Sequence, residues 1–249
     1  MDSSPVWAVP RGTEGVRIMV AAGLARGLDV AACLDGTGLA ERDLEHEDAE
    51  VWAHQEFRVI RNLVARLGDR PGLGIEVGEH STLGRTGVIG FMLLAGPTFL
   101  EAVHRAIPFL ALSPTHLHFA LEVEGERAAL VAADDELPAD LRALVIERDM
   151  AGLAAALRGA QIDLAPLALE TPLDAERAER LGADPVVIGP AVRLSLLQTE
   201  LKAHLNFAPR LGHYLLQPLI QRMQDFACAD EVFGAWKEVI ARRDRFMAE

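Results

Sequence analysis

An α+β fold with helical flanks is what this sequence predicts, and three observations predict it. Apolar residues recur at helical spacing from Glu14 to about Leu110. The period changes from 3.6 to two at Thr115, and from Pro209 the pattern is helical again. Helices first, then a small antiparallel sheet interleaved with helices, then a helical C-terminal extension is an α+β arrangement.

Each element has its own local signal. Residues 1–13 carry no periodic pattern and are expected to be a flexible N-terminus. Val16, Met19, Val20 and Leu24 mark a helix over Glu14 to Arg26, and Gly27-Leu28-Asp29 stops it and caps a short helix over Val30 to Leu34. Phe57, Ile60, Leu63, Val64 and Leu67 form one stripe of a helix over Glu50 to Leu67, closed by Gly68-Asp69 and Pro71. Gly72-Leu73-Gly74 then reads as a tight turn. Gly84 to Ala95 is a short apolar run whose period does not separate helix from strand, and helix is preferred. Pro97-Thr98 opens a further helix, with Phe99, Val103, Ala106, Ile107 and Leu110 facing inward.

The stretch THLHFALEV alternates, Glu124-Gly125-Glu126 turns and RAALVAA returns, which is a hairpin signature. A long helix is expected from Pro138 to Gly159, a third strand over Leu164 to Thr171, a short helix over Asp174 to Leu181, and one or two strands over Val186 to Leu197. After Pro209 two helical stripes follow, Leu215 to Phe226 and Val232 to Ile240. The expected organisation is a domain over 14–208 and C-terminal helices over 209–249 that act as linker or dimerisation element.

Composition narrows the function classes. The 249 residues carry a formal charge of −13, which argues against phosphate-backbone binding by this chain alone. Half the residues are apolar and 24% are charged, as in a folded globular protein. Cys33 and Cys228 lie far apart without metal-ligand spacing and read as small buried hydrophobes of a reducing cytosol. The start MDSSPVWAVPRGTEG has no signal-type apolar stretch, and no run has the length of a membrane span. A cytoplasmic protein without membrane attachment is expected.

Catalytic and cofactor motifs are absent: there is no GxSxG, HExxH, P-loop or strand-linked GxGxxG. A non-enzyme without cofactor or metal is therefore expected. The residues that stand out suit ligand binding instead. His116 and His118, two apart on an alternating segment, would share a strand face and reach one ligand. They are too few for a zinc site, and the bland alternative is a surface or rim position. Arg61, beside an apolar stripe, is a candidate anchor for a carboxylate, with a solvated helix charge as its alternative. Glu147 and Arg148 read as solvated helix charges. Phe91 and Met92, with Phe99 and Phe109, are core residues or the wall of a hydrophobic effector pocket, and the two roles are compatible.

The segment Gln55 to Pro97, QEFRVIRNLVARLGDRPGLGIEVGEHSTLGRTGVIGFMLLAGP, carries a family resemblance. Its helix QEFRVIRNL, the GDRPGLGIEVG unit from Gly68 to Gly78, the apolar Gly87 to Phe91 segment and Gly96-Pro97-Thr98 with Glu101-Ala102 resemble the arabinose-binding-like effector domain of AraC-type transcription regulators. The hairpin and the stretch Arg180 to Val186 fit as well, so the resemblance spans roughly residues 14 to 205. Thr86 and Gly96 stand where the family has a tyrosine and a serine.

The resemblance implies a domain that senses a small apolar or amphipathic effector and forms a homodimer. Such regulators read DNA through a C-terminal pair of helix-turn-helix motifs, and no recognition-helix pattern follows Pro209. The expectation is a sensor without its DNA reader, either an excised domain or a natural protein that has lost that half. Two other functions stay open: an enzyme built on His116 and His118, and an interaction protein that forms mixed dimers with full-length regulators.

Overall fold

The computed structural model describes residues 10–46, 49–81, 89–90, 93, 98–159, 168–182 and 186–197. Helix α1, Glu14–Ala25, buries Val16, Met19, Val20 and Gly23 at helical spacing. It ends at Gly27, whose φ of 82° suits glycine. Asp29 caps α2, Val30–Leu34, by accepting from Ala32 N at 2.6 Å. After a 3-10 turn, Glu41–Glu45, comes α3, Ala53–Leu67. The Gln55 side chain accepts from Trp52 N at its start, and Gly68 closes it at φ 81°. The predicted stripe of α3 is the one that enters the core, with Phe57, Ile60 and Leu63 buried.

The glycine unit departs from expectation. It is not only a turn: Gly72, at φ 89°, starts helix α4, Leu73–Gly78. This helix packs against α6, Arg142–Gly159. A Cβ on Gly74 would run into the carbonyl oxygen of Leu144 and stand 2.6 Å from Glu147 Cβ. A Cβ on Gly78 would run into the carbonyl oxygen of Arg148 and stand 2.8 Å from Ala151 Cβ. Glycines four apart let the two helix backbones approach, so their purpose here is contact rather than turning. The buried Glu147 carboxylate accepts from Gly72 N and Gly74 N, each at 3.0 Å, and so caps α4 from the neighbouring helix. Arg177 links the same carboxylate, at 3.2 Å, to Asp69, at 2.7 Å.

Of the Gly84 to Ala95 run, Ile89, Gly90 and Leu93 are described and helical; the rest lies outside the described residues. Helix α5, Phe99–Ala106, begins at Thr98, whose hydroxyl accepts from Glu101 N. It continues into a 3-10 segment, Ile107–Leu112, that packs beside the strand His118–Glu124.

Strands β1, His118–Glu124, and β2, Arg127–Ala133, form the expected hairpin, turning at Gly125. β3, Ala168–Thr171, α7, Ala175–Arg180, β4, Val186–Ile188, and β5, Val192–Leu197, complete a sheet in the order β1-β2-β5-β3-β4. The sheet is mixed where an antiparallel one was expected, because β3 and β4 run parallel. The cause is α7: a helix between two strands returns the chain to the starting end of the first, so the second runs alongside it. One hydrophobic core joins α1, α3, α4 and α6 to β2, β3 and β5. The expected C-terminal helices, the 164–167 part of the third strand and residues 1–9 lie outside the described residues.

Residues Arg11 to Thr13, expected in a loose N-terminus, are buried in this core. Arg11 pairs its backbone with Val51, N to O at 2.9 Å and O to N at 2.8 Å. Among the described residues no helix is long and apolar enough to cross a membrane.

Candidate effector cavity and its polar floor

Helix α6 carries three consecutive charges, Glu147, Arg148 and Asp149, between apolar stretches. Three adjacent residues span roughly 200° of a helix, so they cannot all reach solvent from a helix packed on several sides. All three are buried, which corrects the expectation of solvated charges at Glu147 and Arg148. Glu147 caps α4. Arg148 and Asp149 build a polar floor under a cavity.

That floor is a linked set of contacts, in which Glu56 Oε2 is held at ion-pair distance and Arg11 Nη2 has no hydrogen-bond partner among the described residues. Arg148 Nε donates to Asp149 Oδ1 at 2.7 Å, and its Nη2 reaches Asp149 Oδ1 at 2.6 Å, His116 Nδ1 at 2.7 Å and the Pro114 carbonyl at 3.3 Å. Asp149 Oδ2 accepts from the Thr115 hydroxyl at 2.7 Å and His116 N at 2.9 Å. On the far side of the imidazole, His116 Nε2 lies 3.1 Å from Glu56 Oε2, which lies 3.2 Å from Arg11 Nε. Arg11 Nη1 also donates to the carbonyls of Ser113 and Thr115, at 2.7 and 2.8 Å. Phe57 packs against the imidazole in a tilted arrangement, ring centroids 4.5 Å apart and planes inclined by 34°.

This arrangement fixes the protonation states. An arginine only donates, so His116 Nδ1 is the acceptor and Nε2 carries the proton toward Glu56. Burial pushes the His116 pKa down, Arg11 and Arg148 push the same way, and Glu56 opposes them only in part, leaving it at about 4. Burial pushes the Glu56 carboxyl up, but Arg11, His116 and Arg148 together outweigh it and hold the pKa below the usual carboxylate range. The floor therefore holds two cations, two anions and a neutral imidazole.

A half-open cavity of about 130 Å³ lies above the floor. Gly15 and Ile18 of α1 form one side, and Val103, Ala106, Ile107 and Leu110 form another. Phe119 of β1 and Leu130 of β2 close a third, facing Gly152, Leu153 and Ala156 of α6. Its polar lining comes from Ser81, Ser113, Thr115, Arg148 and Asp149. Apolar walls with a few placed polar groups are the usual composition of a small-molecule site.

The residues singled out from the sequence distribute differently. His116 is fully buried beneath the floor, whereas His118 is 42% exposed and sits 3.4 Å from Glu136. The two imidazoles do not share a face, and among the described residues no group of His, Cys, Asp or Glu is arranged to hold a metal. Arg61 is 43% exposed and spends its fork on Asp140, at 2.8 and 3.1 Å. Phe109 is buried, and none of Arg61, Phe109, His116 and His118 lines the cavity. Phe91, Met92 and the Phe99 side chain lie outside the described residues. The inward stripe Val103, Ala106, Ile107 and Leu110 is a cavity wall. Sequence reasoning missed Arg11, Glu56, Arg148 and Asp149; only the charge triplet on an otherwise apolar helix signals any of them.

Comparison with known proteins places this architecture. Residues 27–205 match a family model described as the arabinose-binding domain of AraC transcription regulator, N-term. Two uncharacterized HTH-type transcriptional regulators, from Mycobacterium bovis and Mycobacterium tuberculosis, are each 34% identical over 149 residues, which is 60% of this chain and 43% of the relative. The chain thus spans less than half the length of these curated relatives. The crystal structure of the transcriptional regulator CdpR from Pseudomonas aeruginosa aligns with a TM-score of 0.61 at 15% identity, covering 90% of this chain and 64% of that one. At that identity the likeness concerns the fold.

Proposed function

This chain belongs to the family of N-terminal arabinose-binding domains of AraC transcription regulators, and we propose that it is the effector-sensing part of such a regulator. It takes a small apolar or amphipathic molecule into the cavity between α1, α5, the hairpin and α6. The observation that carries this reading is an apolar-walled cavity on a buried, charge-balanced floor. A packed core has no need of an accessible void, since voids cost stability.

The sensor works in the cytoplasm as a homodimer. Its own charge of −13 leaves DNA contact to a helix-turn-helix domain, the type for which the mycobacterial relatives are named. An effector acts only through a difference in affinity between two states. Occupancy of the cavity draws α1, α5 and α6 together, and these helices are the parts able to pass a change to the dimer contact.

The test is a metabolite panel read by thermal unfolding and by sedimentation equilibrium on the full chain. At least one compound raises the melting temperature or shifts the dimer equilibrium, and Ala156→Leu, which fills the cavity, abolishes that response. A broad panel that moves neither observable overturns the reading. Monomeric behaviour at every concentration overturns the dimer.

A further inference from the structure

Resting on the effector reading above, we propose that the cavity selects a compact apolar molecule with one neutral hydrogen-bond-accepting head, a ketone, amide or ester carbonyl, seated on Arg148. Three observations select this class over an acid, an amine or a plain hydrocarbon.

The first is donor supply. Arg148 is 5% exposed and lines the cavity. Its Nε and Nη2 hold Asp149, His116 and the Pro114 carbonyl, while Nη1 makes no hydrogen bond among the described residues. That nitrogen is not among the fully buried atoms without a partner, so a hydrocarbon in the cavity would displace water from it and offer no acceptor in return, whereas a carbonyl supplies one.

The second is the state of the acceptors. Both oxygens of Asp149 are engaged, Oδ1 by Arg148 and Oδ2 by Thr115 and the His116 amide. The Ser113 hydroxyl already donates to the Leu110 carbonyl at 2.7 Å. An ammonium entering here would meet a cation first and no free carboxylate.

The third is charge. Arg148 is neutralised by Asp149, and Arg11 by Glu56, with His116 neutral between them. A buried carboxylate needs a paired fork to offset its desolvation. It would find one free nitrogen of an arginine already spoken for. A carbonyl asks for one donor and brings no charge.

Size sets the body of the molecule. A cavity of about 130 Å³ is comparable with the engineered apolar cavity of about 150 Å³ that admits benzene. One ring or a short branched chain fills it.

The experiment compares four molecules of nearly equal shape on the full chain by titration calorimetry: acetophenone, benzoate, 1-phenylethylamine and ethylbenzene. Acetophenone is expected to bind about tenfold tighter than ethylbenzene, as one added hydrogen bond to a charged donor allows, and benzoate and the amine more weakly than either. Arg148→Lys, which keeps the charge and removes Nη1, erases the acetophenone advantage. Should that variant not fold, the ranking on the unmodified protein still decides. Benzoate or the amine in first place overturns the carbonyl preference and leaves the effector cavity standing. Equal binding of acetophenone and ethylbenzene does the same. If all four fail to bind at millimolar concentration, the carbonyl assignment falls; if the metabolite panel is silent too, the cavity reading falls with it.

Discussion

With Arg148 donating to Nδ1 and Glu56 against Nε2, His116 has room for one ring proton and no second. The unfolded chain takes the second proton near pH 6.5, and the folded protein only at about 4. Between those values the unfolded state binds more protons, so stability falls as pH is lowered from 6.5 to 4 and levels off, for this group, below 4. The loss is on the order of 3 kcal/mol at 1.36 kcal/mol per pKa unit. Glu56, held below its usual value, acts in the same direction but only below about 4.5, the ordinary carboxylate range. Glutamine at position 116 can accept from Arg148 and donate toward Glu56 without titrating. His116→Gln is therefore expected to flatten the decline in urea midpoint between pH 6.5 and 5, and parallel profiles for both proteins would refute the assignment. Little of this was legible beforehand. His116 was noticed for its spacing from His118, but its partners lie 60 positions away at Glu56 and 32 away at Arg148, and spacing carries no trace of them.

At the scale of elements, the long helices and the hairpin were legible because each repeats its period several times. Helix α4 was not, since six residues show less than two turns of pattern and its glycines disfavour a helix by propensity. Its stability comes from α6, through the Glu147 cap and the backbone approach at Gly74 and Gly78. Gly78→Ala is therefore expected to lose about 1–3 kcal/mol, the cost of overpacking, although alanine favours helix intrinsically. Gly152→Ala on α6 is the control. Its Cβ would meet Ser81 Oγ at 3.3 Å, a side chain able to turn away, so it should cost less than half as much in chemical denaturation. If the two variants unfold alike, close helix approach is not what the glycine pattern serves.

For the molecule as a whole, the fold class was legible and the strand order was not. Alternation identifies strands but says nothing of who pairs with whom, and the parallel β3–β4 pair follows from the path of α7. The cavity was half legible: the α5 stripe was foreseen as inward-facing, yet an inward face looks the same in sequence whether it meets side chains or a void. Occupancy should register globally. A ligand at a hundred times its dissociation constant adds about 2.7 kcal/mol, which for a chain of this size is roughly 5–10 °C in melting temperature. Acetophenone at saturation should show this shift in scanning calorimetry, and Ala156→Leu should remove it. A shift that survives the substitution would place the ligand elsewhere.

The strap formed by Arg11 bears on where the unit of folding begins. Shared ancestry is recognisable from residue 27 to 205, yet the guanidinium that balances Glu56 arrives from sixteen positions upstream of that stretch, and α1 comes with it. A recombinant piece trimmed to the ancestral boundary would keep the buried carboxylate and discard its counter-charge, a defect that typically costs about 3–5 kcal/mol. The smallest self-sufficient piece therefore starts before Arg11, and conservation of a domain and autonomy of that domain have different edges here.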